Sequence, residues 1–223
     1  RSAPATPFGD WLRHLPLLPR DAPVLLFDGQ RKPRQDVHAA VVDLDVGRRD
    51  LQQCADAVMR LRAEFLLASG RVRSIAFHPD PGKPRALTYG GDPRDRARFN
   101  QFLTRVFSEA GSASLQAELH PVRGRAPRAG DVLIQGGYPG HAVLVLDAAD
   151  SPQRSGAPSA DAANGRRLLL LGQSYMPAQQ FHVVKNPADP ALSPWYDAAA
   201  LGQAGGLATP EWRPFHTRDV YEF

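Results

Sequence analysis

The chain has 223 residues and a mass of 24.3 kDa, with 43% hydrophobic and 22% charged side chains, the balance of an ordinary globular protein. That balance excludes collagen-like, coiled-coil and disordered chains, and apolar runs such as Leu168 to Leu171 are far too short to cross a bilayer. The 27 basic residues exceed the 23 acidic ones by four but fall in small arginine groups separated by acids, not in the basic stripe of a nucleic-acid binder.

A single cysteine, Cys54, forbids an internal disulfide, so the fold rests on packing. In chain order, residues 24–27 read as a strand closed by the turn signal Asp28-Gly29, and residues 38–45 (HAAVVDLD) as a second strand. A helix follows, with Asp50 as its cap and Gln53 reaching back. Its stripe is Leu51, Cys54, Val58, Leu61 and Phe65, and Gly70 stops it. A second helix is expected over 92–110, striped by Phe99, Phe102, Leu103 and Val106, and a short one over 114–120. Strands then take over at 131–135, 141–147, 168–173 and 180–184, with an exposed loop at 148–167. The tail from Asn186 carries Trp195, Tyr196, Trp212, Phe215 and Phe223, too much aromatic surface to leave in water, so it is expected to wrap the body. Helices first and a sheet afterwards imply one α+β domain spanning residues 1–223.

The chemistry centres on Cys54. A thiol in the first turn of a helix sits where unpaired N–H groups and the aligned peptide dipoles favour the thiolate, so a lowered pKa is expected. The same N–H groups can hold an oxyanion. Cys54 also lies on the apolar stripe, which leaves open that it is simply a small buried residue. A partner is available in His141, which opens a strand after Gly-Tyr-Pro-Gly, while Gln173 closes the next strand. If Asp147 pairs with Arg167 in antiparallel register, His141 falls opposite Gln173 on the same face. The Gln173 amide would then fix the tautomer of a His141 base serving the thiol. Gln53, Tyr138, Tyr175 and Asp45 are candidate substrate-binding residues.

Other chemistries are less well supplied. Ser174 lacks the second glycine of a nucleophile elbow. His38, His141 and His182 come without a zinc-helix motif or cysteine pairs, so neither a metal nor a cofactor is expected.

Q-C-A-D-A-V opening a helix, then G-D-V-L-I, then G-H-A-V-L-V-L resembles the helix-plus-strand core of NlpC-type and CHAP-type cell-wall amidases over roughly the central half of the chain. The resemblance implies a papain-like α+β fold and a cysteine amidase or peptidase with Cys54 as nucleophile, His141 as base and Gln173 as third residue. Many NlpC-type enzymes carry a second histidine where this chain has Gln173. It also implies a peptide or peptidoglycan-like amide substrate and a monomer working in the periplasm or outside the cell, with any anchor on a segment outside these residues. A non-catalytic binding domain on the same fold is the alternative. Across its whole length the chain resembles an uncharacterised bacterial domain family, through stretches such as FGDWLRHLPL, GQSYMPAQQFHVVKNP, SPWY and TPEW.

Overall fold

A computed structural model describes residues 2–79, 85–151 and 165–223. A short helix, α1 (Pro7–Leu12), starts at Thr6, whose hydroxyl accepts the Gly9 N–H at 3.0 Å. Strand β1 (His38–Val41) and the long helix α2 (Cys54–Ala68) follow. The pair β2 (Ala76–Phe77) and β3 (Leu87–Thr88) precedes α3 (Arg96–Glu109) and α4 (Ser112–Glu118). The rest of the described chain is mostly sheet. Its strands are β4 (His120–Pro121), β5 (Val132–Gln135), β6 (His141–Ser151), β7 (Arg166–Gln173), β8 (His182–Val184), β9 (Trp195–Asp197), β10 (Leu207–Thr209), β11 (Trp212–Phe215) and β12 (Val220–Glu222).

Seven of these form one antiparallel sheet in the order β1-β8-β7-β6-β5-β12-β4, and β9 adds an eighth strand beside β7. Strand alternation gives this sheet two different faces. Ile134, Ala142, Leu144 and Leu146 join Val58, Leu61, Phe65 and Phe99 in a core between sheet and helices. Leu133, Val143, Leu169 and Leu171 point the other way, onto Tyr196, Leu201 and Phe215 of the C-terminal tail. The architecture is therefore α+β, with helices on one face of an antiparallel sheet and the tail on the other.

Several boundaries differ from the sequence reading, each for a local reason. Residues 24–27 form only isolated bridges, Leu25 with Arg31 and Leu26 with Gln179; the Gln35 side chain takes the Val24 N–H and shares its carbonyl with the Lys32 N–H. β1 ends at Val41, so Asp43 and Asp45 lie beyond it and do not share a strand face; Asp45 instead accepts the N–H of Gly47, which sits at φ +80°. Helix α2 begins at Cys54, not at Leu51. Its reciprocal cap is Asp56, whose carboxylate takes the Gln53 N–H at 2.9 Å, while Asp50 accepts from the Gln53 amide and from Ala178 N–H. β6 and β7 extend into the expected loop, with Ser151 paired to Arg166; the remainder of that loop, 152–164, lies outside the described residues.

Candidate active site

Cys54 is the first residue of α2 and lines a cavity of about 330 Å³ with Gln53, Ser112, Tyr138, Gly140 and Met176. Tyr138 is 79% exposed on its rim. Cys54 itself is only 6% exposed. Its Sγ lies 4.0 Å from the Gly140 carbonyl oxygen, and N–H groups of Ala142, Ala55 and Cys54 itself favour the thiolate. Burial outweighs them and pushes the thiol up to about 11. The helix start therefore does not lower the Cys54 pKa, contrary to the expectation from position alone. Gly140 is required at this wall: a Cβ there would stand 2.1 Å from the Ser112 hydroxyl and 2.6 Å from the Gly137 carbonyl oxygen.

His141 opens β6 opposite Gln135, and its Nε2 lies 2.9 Å from Gln173 Oε1. The register that brings them together is not the expected one. Leu144 pairs with Gly172 and Val145 with Leu171; a bulge follows, and Arg167 lies opposite Asp150. Near the site this register differs from the expected one by two residues, which places Gln173 diagonal to His141 instead of opposite it. A shift of two conserves the face, so the side chains still meet.

Beyond Gln173 the chain continues into groups that sequence reasoning missed. Gln173 Nε2 donates to Glu211 Oε2 at 2.9 Å, and Lys32 Nζ meets the same oxygen at 2.5 Å. Lys32 is 3% exposed and Gln173 fully buried. A carboxylate only accepts hydrogen bonds, so Gln173 must present its NH₂ to Glu211 and its oxygen to His141. His141 Nε2 then carries the proton and Nδ1 the lone pair, and no hydrogen bond among the described residues occupies Nδ1. The imidazole is packed between Tyr175 and Trp212, each with its centroid 5.1 Å away. Burial drives it down to about 4, with the Gln173 bond opposing that shift and the Lys32 charge adding to it.

The other candidates are distributed unevenly. Gln53 and Tyr138 line the Cys54 cavity, whereas Asp45 lines a neighbouring one. The Tyr175 hydroxyl donates to the Glu211 main-chain oxygen at 2.7 Å and its ring packs on His141, so it braces the imidazole and does not face the cavity. The imidazole and Gln173 belong to the tail face of the sheet, and the thiol arrives from the helix face. They flank the start of β6, where sulfur meets main-chain atoms of both neighbours of His141; no hydrogen bond among the described residues joins sulfur to the ring. At neutral pH the arrangement holds an uncharged thiol and an uncharged imidazole with a free base nitrogen, suited to proton removal during attack and not to a standing ion pair.

Nothing local in the sequence marked Lys32, which sits among Arg31 and Arg34, or Glu211, far along the chain in another turn-rich segment. Among the described residues no three histidine, cysteine or acidic side chains gather as metal ligands, and no helix is long and apolar enough to cross a membrane. No curated protein and no solved structure matches the chain. A family model does match, over residues 1–89 and 83–221, and by that match the chain belongs to the family described as Domain of unknown function (4846).

Proposed function

We propose that this chain is a papain-like cysteine hydrolase that cleaves an amide bond through a thioester on Cys54. The observation that carries the reading is the 2.9 Å bond between His141 Nε2 and Gln173 Oε1, which leaves Nδ1 as the base nitrogen on the residue that follows Gly140, a wall of the cavity lined by the helix-start thiol. In the reaction, Nδ1 removes the thiol proton as Sγ attacks the carbonyl carbon, and returns it to the leaving amine. The N–H groups at the start of α2 stabilise the oxyanion. Water then attacks the thioester, its proton passing to the same nitrogen; the C–S bond breaks, the carboxylic acid leaves, and Nδ1 returns the proton to Sγ. The resemblance to NlpC-type and CHAP-type amidases suggests peptides of the bacterial cell wall as substrates, met in the periplasm or outside the cell.

The test is trapping of the intermediate. Wild-type protein is mixed with a panel of peptide amides and cell-wall stem peptides, quenched in acid and weighed intact by mass spectrometry. An acyl adduct on Cys54 that is lost in Cys54→Ala and His141→Ala supports the reading; peptide cleavage that survives in Cys54→Ala overturns it. The near-complete burial of the thiol favours a second reading, a binding domain without turnover. That domain would bind members of the panel in calorimetry without adduct or cleavage.

A further inference from the structure

Immediately beside the Cys54 cavity lies a second one of about 190 Å³, and Leu51 and Phe107 line both. Its walls carry Arg48, Arg49 and Arg60 against a single acid, Asp45. Two donors there are buried without a hydrogen-bond partner: Nε2 of Gln52, a residue only 1% exposed, and Nε of Arg60. The two side chains are locked together, because the Gln52 amide oxygen accepts from Arg60 Nη1, which also donates to the Asp45 carbonyl oxygen. The Gln52 amide is thereby oriented with its NH₂ unsatisfied. Glu64 fills the gap only in part: its nearest oxygen forms an ion pair with Arg60 Nε at 3.8 Å, long for a hydrogen bond, and its carboxylate is held by Arg96 at 2.7 and 2.8 Å.

Buried unsatisfied donors cost about 1–3 kcal/mol each, and a fold retains them where something else supplies the acceptor. A water accepts up to two hydrogen bonds but leaves the positive charge of the site unmatched. Two donors from an amide and a guanidinium, with two exposed arginines at the mouth, match the paired oxygens and the charge of a carboxylate. We infer that this cavity is a subsite for a carboxylate on the ligand that occupies the Cys54 cleft. Gln52 is two residues from Cys54, so their Cα atoms stand no more than about 7 Å apart and the two cavities serve one stretch of ligand. Resting on the amidase reading, this defines the substrate class as an acidic peptide or amide, its carboxylate within a few residues of the scissile bond.

The experiment separates the subsite from the chemistry. Cys54→Ala protein, which cannot turn over, is titrated with N-acetylglutamate α-amide and, in parallel, with its neutral isostere N-acetylglutamine α-amide, following the Gln52 side-chain NH₂ by ¹H–¹⁵N NMR. The expected result is a saturable shift of that NH₂ with the glutamate compound only. Affinity, read by calorimetry because Gln52→Glu removes the reporter NH₂, should fall at least tenfold in that variant, whose carboxylate would pair with Arg60 and repel the ligand, and severalfold in Arg49→Ala, which lies on the rim. Equal binding of the two compounds, or binding unaltered in Gln52→Glu, would overturn the subsite. Thermal melts show that each variant is folded, and Arg49→Ala, being exposed, keeps the test valid if Gln52→Glu is not. Carboxylate binding without any acyl adduct in the wild type would leave the subsite standing and remove the amidase; adducts without carboxylate selectivity would do the reverse.

Discussion

The two faces of the central sheet are built on different principles. The helix face is a continuous hydrocarbon contact in which Ile134, Leu144, Leu61 and Phe99 are each fully buried. Its stability is the sum of many interchangeable contacts, about 1.5–3 kcal/mol for each large side chain. The tail face has a hydrocarbon floor too, but through it runs the polar line His141, Gln173, Glu211 and Lys32. No link in that line can be exchanged alone, because each partner left behind would be a buried polar group without a bond. Tolerance is therefore expected on one face and strict interdependence on the other.

The strongest way to break this contrast is Lys32→Met, which strands the Glu211 carboxylate. It should cost about 3–5 kcal/mol in urea unfolding, while the double variant Lys32→Met/Glu211→Leu recovers most of the loss. A double variant no more stable than the single one would mean that packing, not pairing, governs this face. Acid comes next. His141 has its folded-state pKa lowered to about 4 and His182 to about 3, both by burial, against 6.5 in an unfolded chain. Between those values the unfolded chain binds the proton and the folded one does not. Stability is thus fully present above pH 6.5 and is lost as pH falls toward 4, by about 1.4 kcal/mol per pH unit for each imidazole. Denaturant midpoints that stay level from pH 7 to pH 5 would refute the burial of these rings.

A matched pair of substitutions sharpens the comparison further. Gln173→Met keeps the volume but leaves both His141 and Glu211 short of a partner, at about 1–3 kcal/mol each. Leu61→Met on the helix face should cost less than about 1.5 kcal/mol. Similar losses from the two would erase the distinction between the faces. The smallest effect concerns rate only. With its thiol pushed up to about 11, Cys54 should react with iodoacetamide slowly at pH 7.5, the rate climbing about tenfold per pH unit toward pH 10. A plateau below pH 8 would instead report a thiolate already paired with the imidazole.

These contrasts also explain what could be read in the sequence. The helix face announces itself through periodicity: Val58, Leu61 and Phe65 place α2, and alternation in Val132 to Ile134 and Ala142 to Leu146 places the strands under it. His141 and Gln173 were legible as a pair because strand parity survives a shift of two, even though the exact pairing was hidden by the bulge after Val145. Lys32 and Glu211 were not legible, since no period connects single residues 179 positions apart. Nor was the direction of the Cys54 shift. The sequence shows a helix start, but the depth at which that start is buried is a property of α3, α4 and the 137–140 turn closing over it.

The position of Glu211 in the tail has a consequence for the order in which the molecule becomes competent. During synthesis the residues that carry the thiol, the imidazole and Gln173 all exist before residue 211 does. At that stage the Gln173 amide has no carboxylate to decide which way it faces, and the imidazole no assigned tautomer. β12, at 220–222, then closes the gap between β5 and β4 and joins the 120–121 segment to the sheet. The tautomer of the candidate base is thus set by a residue of the tail, so a chain shortened before residue 211 should hold the same candidate groups without their assigned proton positions.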